Sequence, residues 1–106
     1  MNRHTIDKNR WAKMTVFEQM GNIGSEVGRA LSAKHRGDMV SMKAALFRGL
    51  DLIDITAELW AKKYPYRNKE LLRSREFFVQ SIVTDNEDTT LEKYFTEFAV
   101  AARLHR

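Results

Sequence analysis

"FEQMGNIGSEVGRALSAKHRG", Phe17 to Gly37, is the stretch that decides the fold. Its apolar residues fall at Phe17, Met20, Ile23, Val27, Ala30 and Leu31, the spacing of one face of an α-helix. Thr15 and Glu18 just upstream have the T-x-x-E spacing of a capping box, in which each side chain satisfies the other residue's free backbone N–H. Lys34, His35 and Arg36 put cations where the helix dipole favours them, and Gly37 supplies the stop. Three glycines, Gly21, Gly24 and Gly28, nevertheless lie inside, and each costs a helix roughly 1 kcal/mol relative to alanine. Gly21, Ser25, Gly28 and Ser32 are spaced four, three and four apart and so share a face. Such a ridge of small residues admits the close approach of another backbone. The expected neighbour is another helix of the same chain or, if these four residues form an interface, a second copy.

The same rhythm continues downstream. Asp38 is placed to cap a second helix, with a stripe of Met39, Met42, Leu46, Leu50, Ile53, Ala57 and Trp60 widened by Phe47, Leu52, Ile55 and Leu59. Pro65 is expected to close it, since the residue before a proline is biased away from helix. Asn68 is then the expected cap of a third helix carrying Leu71, Leu72, Phe78, Val79, Ile82 and Val83, interrupted by Arg75. After "TDNEDT", Thr89 and Glu92 form a second capping box for a fourth helix, with Leu91, Tyr94, Phe95, Phe98, Ala99 and Ala102 on one stripe. Four amphipathic helices joined by short connections predict an all-α, antiparallel up-down-up-down four-helix bundle. Residues 1–106 read as one domain, with 1–13 a loose arm from which Trp11 and Met14 dock on the end of the bundle.

Composition narrows the function classes. With no cysteine, disulfides, thiolate metal sites and a cysteine nucleophile are excluded. No apolar run approaches the ~18 residues of a membrane span, and "MNRHTIDKNRWAKM" has no signal-type apolar core, so the expected setting is the cytoplasm, with no membrane partner. None of His4, His35 and His105 follows a glutamate at the spacing used by di-iron bundles, so no metal and no cofactor are expected. Asp51, Asp54 and Glu58 share a face of the second helix and read as its solvent side. No small-molecule substrate is inferred.

The net charge is +4, a balance that permits a phosphate-bearing partner without requiring one. In the expected topology the chain start, the "KKYPYRNK" connection and the C-terminus meet at one end. They bring together Arg3, Lys8, Arg10, Lys13, Lys62, Lys63, Arg67, Lys69, Arg103 and Arg106 against Asp7 and Glu70. Tyr64 and Tyr66 lie among these cations, where rings can stack on bases while Lys and Arg hold phosphates. The expected binding set is Lys62, Lys63, Tyr66, Arg67 and Lys69.

"WAKMTVFEQMGNIGSEVGRA" and "LEKYFTEFAVAARLHR" resemble small bacterial helical-bundle proteins with no assigned function, over roughly Trp11 to Arg103. The architecture is also similar to bundles encoded in ribosomal RNA intervening sequences and to retroelement accessory bundles. The resemblance implies a bacterial cytosolic bundle with a basic surface, assembling as an oligomer. Separately, "RALSAKH", Arg29 to His35, resembles the arginine–histidine signature of HEPN ribonucleases, which would make Arg29 and His35 a catalytic pair. That family carries the pair late in the chain, whereas here it closes the first long helix. The leading expectation is a non-enzymatic interaction or scaffold module that associates with itself or another protein. The alternatives are nucleic-acid or phosphate binding through the basic pole, and a divergent HEPN-like ribonuclease.

Overall fold

A computed structural model describes residues 6–84. They form four packed helices, with no strand among the described residues: α1 (Lys8–Ala12), α2 (Val16–His35), α3 (Met39–Lys63) and α4 (Pro65–Val83). None of these is long and apolar enough to cross a membrane. The expected fourth amphipathic helix with its capping box at Thr89 and Glu92, and residues 1–5 of the N-terminal arm, lie outside the described residues.

Both ends of α2 follow from its sequence. Thr15 Oγ1 accepts from the Glu18 N–H at 3.1 Å, and the Thr15 N–H donates to Glu18 Oε1 at 3.0 Å, which completes the capping box. At the other end Gly37 adopts φ +73°, a left-handed conformation that a side chain would strain. Its N–H donates to Lys34 O and the Asp38 N–H to Ala33 O, the paired bonds that satisfy a helix's last carbonyls. Asp38 then caps α3 by accepting from the Ser41 N–H at 3.1 Å.

The α3–α4 junction departs from expectation. Pro65 does not close a segment before a loop; it opens α4 at the first helical position, where its missing N–H costs nothing. Tyr64 alone separates the two helices, with non-helical φ and ψ of −138° and 67°, so "KKYPYRNK" is an elbow between helices. Asn68, expected as a cap, lies within α4, where its N–H donates to Tyr64 O at 2.9 Å. The short α1 also departs from the expected loose arm over residues 1–13. Asp7 caps it by accepting from the N–H groups of Asn9 and Arg10.

The buried stripe of α3 runs Met42, Ala45, Gly49, Ile53, Thr56, Trp60. It is rotated about one residue from the bulky line that periodicity selects: Met39 and Phe47 face outward, while Ala45, Gly49 and Thr56 face inward. In α4 the inward line is Leu71, Ser74, Phe78 and Ser81, with Ile82 beside it, and Leu72 and Val83 are exposed. Small residues let the backbones close up. At Gly49 an added Cβ would lie 2.8 Å from Phe78 Cε2 and 3.4 Å from Glu26 Cβ, so all three long helices converge there.

A buried polar chain ties α1 to this body. Trp11, which is buried, donates its indole N–H to Thr56 Oγ1 at 2.8 Å, and Thr56 donates onward to Leu52 O. Gln19 donates to Trp11 O at 2.8 Å and accepts from the Trp60 indole at 3.1 Å. Each of these buried groups has a partner, which removes the desolvation cost of a polar group in a core. At the opposite end Lys34 donates to Ser81 O at 2.6 Å and also to Thr84 O, placing a cation on the negative end of α4.

Candidate ligand-binding surfaces

The five residues of the expected basic binding set sit around the elbow. Lys62 and Lys63 occupy the last turn of α3, and Tyr66, Arg67 and Lys69 the first turns of α4; all are exposed. The two tyrosines have different surroundings. Tyr64 is half-buried, edge-on to Trp60 with ring centroids 6.0 Å apart, and it carries Lys63 Nζ at 5.7 Å and Arg67 Cζ at 5.6 Å from its ring centre. Tyr66 is 84% exposed. Lys8 pairs with Glu58 at 3.7 Å, so the chain start reaches the C-terminal half of α3. Arg3, Arg103 and Arg106, the other expected contributors, lie outside the described residues.

The small-residue ridge of α2 does not pack inside the fold at its centre. Ser25 and Ser32 are exposed, and a Cβ added at Gly28 would meet nothing within 4 Å. Gly21 receives the Ser25 hydroxyl on its carbonyl at 3.1 Å. Gly28 and Ser32 instead floor a cavity of about 490 Å³ between α2 and α3, completed by Arg29, Arg36, Ser41, Ala44, Ala45 and Arg48.

Two of the arginines lining that cavity converge on a buried carboxylate that no sequence motif marks. Glu26 is 5% exposed; its Oε1 accepts from Arg29 Nη1 at 2.6 Å and its Oε2 from Arg48 Nε. Burying a carboxylate is tolerable only when it is paired and hydrogen-bonded, and two guanidinium groups from two helices meet that requirement. The signal in sequence was a glutamate between Ile23 and Val27 on the apolar side of α2, but the Arg48 partner is non-local. On its far side the Glu26–Arg48 pair walls a second cavity of about 330 Å³, lined by Trp11, Met14 and Leu52 together with Asp7, Arg10 and Asp51.

Arg29 and His35, the expected catalytic pair, are both on α2. Arg29 lines the larger cavity, and His35, the last residue of the helix, is not among the residues lining it. Six positions at about 100° each set the two side chains about 120° apart around the axis. The expected solvent-facing carboxylates of α3 divide as well. Asp54 accepts from Arg75 Nε at 2.8 Å, and this hydrogen bond holds the guanidinium pKa above its ordinary value; Glu58 takes Lys8, and Asp51 borders the smaller cavity. Among the described residues no group of three metal-ligating side chains forms.

No protein-family model, curated protein or solved structure matches the chain.

Proposed function

We propose that this protein is an antiparallel helical bundle that works as an interaction module and associates with a second copy through the α3–α4 face. The antiparallel reading draws support from contact pairs that slide backward along one helix as the other advances. Gln19 meets Trp60 and Glu26 meets Arg48; Gly49 meets Phe78 and Asp54 meets Arg75.

The interaction reading is carried by apolar side chains left in water around the Arg75–Asp54 bridge. Phe47 is 60% and Val83 70% exposed, and Leu72 is also exposed. Leu72, Val79 and Val83 are spaced seven and four apart on α4, the spacing of a stripe that packs on another helix. The Arg75–Asp54 ion pair within this face compensates its own charges and leaves the apolar residues around it to make the contact. Sedimentation velocity over a wide concentration range tests this. The full chain should dimerise, and Phe47→Glu combined with Val83→Glu should be monomeric with unchanged helicity. A wild-type chain that stays monomeric at the highest concentration refutes the proposal.

A second reading, nucleic-acid binding at the elbow, is favoured by one observation: Tyr66 stands free among Lys62, Lys63, Arg67 and Lys69. It requires affinity for single-stranded RNA that falls steeply with salt and drops on Tyr66→Ala.

A further inference from the structure

We propose that the cavity between α2 and α3 binds a phosphorylated small molecule of nucleotide size through Arg29, Arg36 and Arg48. Three guanidinium groups border one concavity whose other lining residues, Gly28, Ser32, Ser41, Ala44 and Ala45, are too small to fill it. A guanidinium carries five N–H groups in a planar fork suited to phosphate oxygens. Arg29 and Arg48 each give one of theirs to Glu26, and Arg36 Nη1 gives one to Ser32 Oγ at 2.7 Å. These bonds hold the forks in place and leave further donors to each. Because the buried Glu26 carboxylate holds Arg29 and Arg48, these two guanidinium groups are oriented before a ligand arrives, and preorganised donors lose less entropy on binding.

The charge balance at the site is positive. Glu26 and Asp38 oppose the three arginines, and both carboxylates already accept hydrogen bonds, Glu26 from Arg29 and Arg48, Asp38 from the Ser41 N–H. A cavity of about 490 Å³ falls within the usual range for small-molecule sites and exceeds what inorganic phosphate alone would occupy. The Ser32 hydroxyl adds a neutral donor for a ribose or a further phosphate oxygen, while the Ser41 hydroxyl is turned to the Asp38 carboxylate. A second copy is a poor occupant, because a two-fold axis here would set Arg29 and Arg36 of one chain against the same residues of the other.

The test is titration of the full-length protein with ADP, followed by amide NMR and calorimetry, with AMP, adenosine, inorganic phosphate and a single-stranded oligoribonucleotide as separate arms. ADP should shift the Gly28, Ser32 and Ser41 resonances, and inorganic phosphate should displace it. Arg29→Gln and Arg36→Gln should each weaken ADP about tenfold while remaining fully folded and helical at the temperature of the titration, and Arg67→Gln at the elbow should change nothing. If phosphate binds as tightly as ADP, the site reads the phosphate group alone and free phosphate is its source. Adenosine binding as well as ADP, wild-type affinity in the Arg29→Gln/Arg36→Gln double variant, or tighter binding of the oligoribonucleotide at these same residues overturns the proposal.

Discussion

Gly49 lies against the ring of Phe78, so close that a methyl group at position 49 would stand 2.8 Å from Cε2. Phe78 is fully buried, so displacing its ring disturbs the core packed around it. Alanine at 49 gains up to ~1 kcal/mol in helix propensity but overpacks the site at a cost of about 1–3 kcal/mol. Gly49→Ala should therefore lose roughly 1 kcal/mol in chemical denaturation, and shortening the ring in Gly49→Ala/Phe78→Leu should recover part of it. Gly28→Ala, with open space above it, should gain about 0.5–1 kcal/mol.

The Trp11 indole and Thr56 hydroxyl form a second measurable pair. Thr56→Val leaves the buried indole N–H without an acceptor and should cost about 1–3 kcal/mol. Trp11→Phe/Thr56→Val removes both polar partners, so a double-mutant cycle should return a favourable coupling of about 1 kcal/mol. Additive losses would show that α1 does not hold its position through this bond.

Glu26 sets an order among three variants. Glu26→Ala removes the shared acceptor and should be the most damaging, at about 1–3 kcal/mol, a value held down because both arginine partners reach water. Arg48→Ala should come next, and Arg29→Ala, whose side chain is 65% exposed, should cost under ~1 kcal/mol. Thermal melts of the three single variants check the ranking.

Asp38 predicts an acid-dependent term. Hydrogen bonds from Ser41, with help from the Arg36 charge, hold its carboxyl below the ordinary value of 3.8. The folded state therefore binds the carboxylate form more favourably than the unfolded state does. This contribution is complete above 3.8 and drains away as pH falls through the lower, folded value. Asp38→Asn keeps a cap but does not titrate. The melting-temperature advantage of wild type over Asp38→Asn at neutral pH should close as pH is taken below 3.8.

The helix ends were legible in the sequence because they are local. The Thr15–Glu18 box, the Gly37 stop and the Asp38 cap need only residues within a turn of each other, and each occurs where spacing put it. Pro65 was ambiguous for a physical reason: a proline both discourages helix before it and favours the first position of a helix after it. The inward faces of α3 and α4 were misaligned because a hydrophobic count favours Phe47 and Leu72, whereas close packing favours Ala45, Gly49, Ser74 and Ser81. The arginine-rimmed cavity was half visible. Its floor appeared as a ridge of small residues and its Arg29 as an isolated motif, but Arg36, Arg48 and the buried Glu26 come together only once α2 and α3 are laid side by side.

A lone tyrosine between α3 and α4 leaves the chain no slack for a change of length. Adding or deleting one residue within the adjoining turns rotates everything downstream by about 100°, carrying Phe78 off the notch at Gly49 and Arg75 away from Asp54. Indels should therefore be tolerated poorly at this corner, where side-chain exchange at Tyr66 is easy, and variation in length should collect at other junctions of the chain.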